Sequence, residues 1–114
     1  MNDRQKQLKE EYKQTKLPMG IVMIKNINEN KCSLVATGNV KGTINKIGFE
    51  LELGGHKNKE LQKAYNDNGK DSFVIEVLDI LEYEENKDDY KDELLLLKEI
   101  WAEKLRTEQG AEFY

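Results

Sequence analysis

Two short apolar runs separated by a polar turn predict a β-hairpin near the start of the chain. The runs cover residues 20–24 and 32–37, and the stretch between them contains three asparagines, which favour turns. Side chains alternate between the two faces of a strand, so one face of each strand can be read from the sequence. The side chains that share one face of the hairpin are Val22, Ile24, Ser33, Val35 and Thr37.

Apolar residues then recur at helical spacing. This spacing predicts a helix over residues 40–53, ended by Gly54 and Gly55, and a second helix that begins after the N-cap Asn58 and ends at Asn68 and Gly69. The apolar faces contain Ile44, Ile47 and Leu51 in the first helix, and Leu61, Ala64 and Tyr65 in the second.

A mostly apolar run over residues 72–78 predicts a third strand, expected to be central and buried on both faces. An acidic linker over residues 82–89 leads into the longest predicted helix, residues 89–105, whose apolar stripe includes Leu94 and Trp101. Leu95 lies outside that stripe, which suggests a second contact surface for a homodimer or a protein partner.

The order of these elements indicates an α+β fold with a small three-stranded antiparallel sheet flanked by helices. Residues 1–16 are expected to form an N-terminal helical extension, because residues 3–16 are polar with good helix propensity. Residues 17–105 form the predicted domain, and residues 106–114 are expected to be a C-terminal tail.

Composition narrows the functional classes. The chain has 114 residues, of which 38% are hydrophobic and 35% charged, which fits one domain with one modest core. Eighteen basic and 22 acidic residues give a net charge of −4, which argues against a strongly basic nucleic-acid binder. Residues 82–114 carry a net charge of −6 and residues 1–81 one of +2, so an anionic partner should prefer the first two-thirds.

The expected location is the cytoplasm, without membrane contact. The apolar runs are too short to cross a bilayer, and the first residues lack the apolar core of a signal peptide. The single cysteine, Cys32, cannot form an internal disulfide, which suits a reducing compartment, and its position in the strand predicts a buried apolar role.

Over residues 17–105 the chain resembles the GIY-YIG nuclease family, in particular its small phage and homing-endonuclease-like branch. Gly20-Ile21-Val22 stands at the first family signature, and Ser33-Leu34-Val35 at the second. The most specific stretch runs over residues 55–62 and continues to Glu76. The resemblance implies a GIY-YIG-like fold and, in active members, phosphodiester cleavage with tyrosines, an arginine and a divalent ion held by a glutamate.

Most of the positions that the resemblance marks as catalytic hold other residues here. The two signature tyrosines are replaced by Val22 and Ser33, and the glycine of the second signature by Val35. The family arginine is replaced by Thr43, and a histidine or tyrosine one turn later by Ile47. Glu76 is then the one retained position. It is the candidate catalytic and metal-binding residue for Mg or Mn, although a protein without a cofactor is the favoured expectation.

Cations near the substituted positions are the candidate nucleic-acid-binding residues. Lys41 and Lys46 flank Thr43 on the predicted helix and supply point charges without the forked geometry of arginine. His56, Asn58 and Lys59 lie at a helix start, where phosphates can bind, although a solvated loop is the simpler interpretation of His56. A serine-hydrolase triad is not indicated, because Ser33 has no elbow motif around it.

Three functions remain open at this point. The favoured one is a GIY-YIG-like domain with a degenerate active site, inactive or impaired, that serves as a weak DNA-binding or regulatory module. The first alternative is an active endonuclease that depends on a divalent metal. The second is a protein-interaction module that binds no nucleic acid.

Overall fold

The computed structural model describes residues 17–114, and the predicted N-terminal helix lies outside that range. The hairpin is confirmed as strands β1 (Met19–Asn26) and β2 (Lys31–Thr37), which pair antiparallel with Val22 opposite Val35 and Ile24 opposite Ser33. The predicted grouping of alternate side chains on one face of the hairpin is therefore confirmed.

The next two helices have the predicted bounds. Helix α1 spans Val40–Leu53 and begins at Asn39, whose side chain accepts the N–H of Gly42. Helix α2 spans Lys59–Asn68 and begins at Asn58, whose side chain accepts the N–H of Leu61. A cap of this kind satisfies a helix N–H group that has no partner within the helix.

The sheet has four strands, and this corrects the predicted three-stranded antiparallel sheet. A 3-10 turn (Lys70–Ser72) leads into strand β3 (Phe73–Leu81), and a short strand β4 (Glu112–Phe113) runs parallel to β2. The strand order is β3-β1-β2-β4, so the sheet is mixed. A two-residue strand has no periodicity to read, which is why the sequence did not predict β4.

The prediction that the third strand is central was wrong. Strand β3 lies at the edge of the sheet, pairs only with β1 among the described strands, and leaves Val77 and Ile80 partly exposed. The central position belongs to β1, whose run Met19–Ile24 is fully buried. Both strands have apolar runs of similar length, and such a run does not show which strand has two neighbours.

Helices cover both faces of the sheet. Helices α1 and α2 pack on the face that carries Val22 and Ile24, with Ile47, Leu51 and Leu61 in the same apolar cluster. Helix α3 (Lys91–Gln109) packs on the opposite face against Ile21 and Met23. It extends beyond the predicted end at residue 105, and residues 112–113 then return to the sheet as β4.

The apolar role predicted for Cys32 is confirmed. Its side chain is buried in the α3-facing core, and this burial raises the pKa of the thiol. Among residues 17–114, no helix combines the length and the apolarity that crossing a bilayer requires.

Candidate functional site

A groove of about 540 Å³ runs along the free edge of β2, beyond the two residues that β4 covers. Residues 33–37 of β2 lie along it, and α1 and α3 contribute side chains to it from the two faces of the sheet. Tyr114 lines the groove too, directly after β4. Its phenol accepts a hydrogen bond from Asn26 Nδ2 at 3.0 Å, and burial raises the pKa of Tyr114, so the phenol stays protonated near neutral pH.

Three lysines from three different parts of the fold line the groove. Lys46 comes from α1, Lys57 from the loop before α2, and Lys98 from α3, whereas Glu50 is the one carboxylate side chain that the described residues contribute. These four charged side chains give the groove a net charge of +2, in a chain whose net charge is −4. Like charges held around one cavity favour an anionic ligand.

None of the three lysines has an ion-pair or hydrogen-bond partner within residues 17–114. Some other lysines of the described region are paired, for example Lys31 with Glu60 and Lys70 with Glu52, whereas others, such as Lys41 and Lys91, form no ion pair within residues 17–114. The groove lysines therefore retain their capacity to bind anionic groups.

The loop that carries His56 and Lys57 is held by side chains of α2. Gln62 accepts the backbone N–H of His56 through Oε1 at 3.0 Å and donates from Nε2 to the carbonyl of Leu51 at 2.9 Å. His56 Nδ1 accepts the N–H of Asn58 at 3.0 Å, so the neutral ring carries its proton on Nε2. His56 is therefore a half-buried loop residue, held by one hydrogen bond from its backbone N–H and one to its ring.

The substituted positions predicted from the sequence do come together. Ser33, Val35, Thr43 and Ile47 all line the groove, and Val22 lies buried in the same α1-facing cluster. The hydroxyls of Thr43 and Thr37 share a hydrogen bond of 2.7 Å. The side chains at these positions are neutral throughout, so they supply neither a fixed charge nor a group that titrates near neutral pH.

Glu76 lies elsewhere. It pairs with Met23 across β1 and β3, which places it on the α3-facing side of the sheet, and it is exposed at the edge strand. The groove lies beyond β2, on the other side of β1, and Glu76 does not line it. The structure thus separates Glu76 from the substituted positions.

Most of the remaining candidate nucleic-acid-binding residues line one of two grooves. Lys46, His56 and Asn58 line the groove described above, whereas Lys59 lines a second groove of about 550 Å³ between the α1–α2 loop and α2. His56 and Lys57 contribute to both grooves, and Lys41 lines neither.

Lys98 was not among the candidate site residues, although the sequence around it could have indicated it. Leu94, Lys98, Trp101 and Leu105 follow each other at spacings of four, three and four residues, so the lysine interrupts the apolar stripe of α3. A half-buried lysine within such a stripe marks the place where the helix leaves the core and faces a polar cavity. Lys57 carries no comparable signal, because the sequence does not indicate how its loop folds back.

The groove does not fit a divalent metal ion. Its metal-binding candidates are one carboxylate, Glu50, and one imidazole, His56, and three ammonium groups around the cavity repel a further cation. Within residues 17–114, no cluster of three or more His, Cys, Asp or Glu side chains is placed to hold a metal. The Mg or Mn site at Glu76 stays a prediction.

Comparisons with known proteins give two solved structures. No family model and no curated protein matches the chain. The catalytic domain of the homing endonuclease I-TevI is 23% identical with a TM-score of 0.65, and the match covers 83% of this chain and 96% of that one. A Glu-to-Ala mutant of the catalytic domain of intron endonuclease I-TevI is 24% identical with a TM-score of 0.64, covering 84% of this chain and 92% of that one.

Proposed function

Because residues 17–114 have the GIY-YIG-like fold of an endonuclease catalytic domain, we propose that this chain is a nuclease-like domain that binds DNA through its lysine groove without cleaving it. The observation that carries the proposal is the content of the groove: three lysines without a partner in residues 17–114 surround a floor formed by the neutral side chains of Ser33, Val35, Thr43 and Ile47. The lysines support binding of a phosphate backbone, and the neutral floor argues against catalysis.

Cleavage of a phosphodiester needs more than positive charge. The transition state gains negative charge, which the lysines can stabilise, but a nucleophile must also lose a proton. Among the described residues, the groove side chains that could accept it are the carboxylate of Glu50 and the ring of His56. Because Nδ1 of His56 accepts the N–H of Asn58, its Nε2 carries the proton and cannot act as a base until that hydrogen bond breaks.

Binding through three lysines should be weak and independent of sequence. Lysine ammonium groups contact phosphates as point charges, whereas bidentate recognition of guanine is typical of arginine. The two arginines of the chain are Arg4, outside the described residues, and Arg106, which does not line the groove and is paired with Glu103. This supports a module that holds DNA without selecting a site.

DNA binding is expected to need no divalent metal and to weaken as salt rises. Fluorescence anisotropy with a labelled duplex measures the dissociation constant over a salt series, in EDTA and in Mg²⁺. Three phosphate contacts predict a slope of about −2.7 for log affinity against log salt, with a dissociation constant in the range of roughly 10⁻⁴ to 10⁻⁶ M. EDTA should leave the constant unchanged at equal ionic strength.

A matched pair of variants locates the binding site. Lys98→Gln is expected to reduce the salt slope by about 1, because it removes one phosphate contact. Lys91→Gln removes the same charge from the same helix outside the groove and should leave the slope unchanged. Binding that requires Mg²⁺, or equal effects of the two variants, would contradict the proposal.

A further inference from the structure

The free edge of β2 is partly occupied by the chain itself. The backbone N–H of Glu112 donates to Asn30 O at 3.2 Å, and that of Tyr114 donates to Cys32 O at 3.0 Å, so β4 pairs with the first two residues of β2. The next five residues of β2, 33–37, have no strand beside them on that side within the described part of the chain. They are the residues along which the groove runs.

Strand alternation shows which backbone groups face this edge. Residues of an antiparallel pair direct their N–H and C=O groups alternately toward the partner strand and away from it. Cys32 directs its carbonyl toward β4, and β2 pairs with β1 in unbroken register, so Leu34 and Ala36 direct their backbone groups into the groove. Within residues 17–114, no hydrogen bond to these outward groups is formed.

These backbone groups restrict the chemistry of a ligand that satisfies them. Leu34 and Ala36 line the groove, so only a ligand or water there can satisfy their outward backbone groups. The edge offers donors and acceptors in alternation, at Leu34 and again at Ala36. A phosphate backbone can accept from the two N–H groups but cannot donate to the two carbonyls, whereas an extended peptide does both.

We propose that an extended acidic peptide of another protein binds in this groove as a further strand beside Leu34 and Ala36. The charges favour acidic side chains, because the side chains of an added strand alternate between the two faces of the sheet. Those on the α1 side meet Lys46 and Lys57, whose two positive charges outweigh the one carboxylate of Glu50, and those on the α3 side meet Lys98. This ligand goes beyond the proposed binding of DNA, and the two ligands compete for the same lysines.

Three synthetic peptides of equal length test the proposal by isothermal titration calorimetry. The first alternates Glu with Thr and Val, the second has Gln in place of Glu, and the third is the first with alternate backbone nitrogens methylated. The acidic peptide is expected to bind at least about tenfold tighter than the Gln peptide, and at least about fivefold tighter than the methylated one. Equal binding of all three peptides, or none, overturns the proposal.

The variant Ala36→Pro tests whether backbone hydrogen bonds contribute to peptide binding, because it changes no charge. Proline removes the N–H of Ala36, which faces away from β1, and is tolerated at an unpaired strand edge. The variant should weaken the acidic peptide by at least about fivefold and change the already weak binding of the methylated peptide by less than about twofold. A thermal melt checks that it folds, and the methylated peptide gives the same test on the unmodified protein.

The outcomes distinguish this proposal from the proposed function. Peptide binding without DNA binding would support the strand site and contradict the DNA-binding function. DNA binding with no preference for the acidic, unmethylated peptide would support the DNA-binding function and contradict the strand site. Amide exchange at Leu34 and Ala36 that slows with the acidic peptide, and less with the methylated peptide, would show the pairing directly, and exchange that the acidic peptide leaves unchanged would overturn it.

Discussion

Replacing the three groove lysines together by glutamine is expected to abolish DNA binding at moderate salt. In the variant Lys46→Gln, Lys57→Gln, Lys98→Gln, the affinity should fall by at least about 100-fold near 0.1 M salt, because about 0.9 counterions are released for each phosphate contact. Anisotropy with the labelled duplex measures the change. The three side chains have no partners among residues 17–114, so the variant should fold as the unmodified chain does.

A control variant carries the same change of net charge. Lys41→Gln, Lys70→Gln, Lys91→Gln removes three lysines that lie outside the groove. One of them, Lys70, forms an exposed ion pair with Glu52, which contributes little to stability. The control should change the affinity by less than about threefold, which reflects the long-range charge alone. Equal losses in the two variants would mean that net charge, and not the groove, determines binding.

Gly20→Ala is expected to lower the free energy of unfolding by about 3 kcal/mol or more. A Cβ on Gly20 would lie 2.0 Å from the carbonyl oxygen of Asp79 and 2.9 Å from its carbonyl carbon. Strand β1 is central and buried, and the pairing of β1 with β3 is irregular just beyond this point, so the clash cannot be relieved by a side-chain rotation. Urea unfolding followed by circular dichroism measures the loss.

Gly38→Ala is the matched control for that substitution. A Cβ at Gly38 meets no atom within 4 Å, and its backbone is not in the left-handed region. The free energy of unfolding should therefore change by no more than about 0.5 kcal/mol. Comparable losses in Gly20→Ala and Gly38→Ala would show that the close approach of β1 to β3 is not what requires glycine at position 20.

Local chemistry made much of the fold predictable. The hairpin and the bounds of α1 and α2 follow from apolar periodicity, from Gly54 at the end of α1 and from the predicted N-cap Asn58, and the structure contains both caps. The position of β3 could not be predicted in the same way. Whether a strand is central depends on how many neighbours it has, and neither its propensity nor its apolar run contains that information.

The sequence predicts those parts of the site that depend on the alternation of side chains along a strand and on their spacing along a helix. Ser33, Val35, Thr43 and Ile47 meet because alternate residues of β2 face one turn of α1. The same alternation places Glu76 away from these residues, since Phe73 and Ile75 pack in the α1-facing core and Glu76 faces the other side of the sheet. Lys98 reaches the groove only through the packing of α3 on the opposite face of the sheet, which depends on tertiary structure.

The most direct test of whether this nuclease-like domain binds DNA without cleaving it is a nicking assay on supercoiled plasmid. The assay uses protein in excess over DNA, with Mg²⁺ or Mn²⁺. An active nuclease in parallel wells shows that the conditions support cleavage. The plasmid is expected to remain supercoiled throughout, at protein concentrations where anisotropy shows that the DNA is bound. Metal-dependent nicking that purifies with the protein and disappears in Glu76→Ala would contradict it.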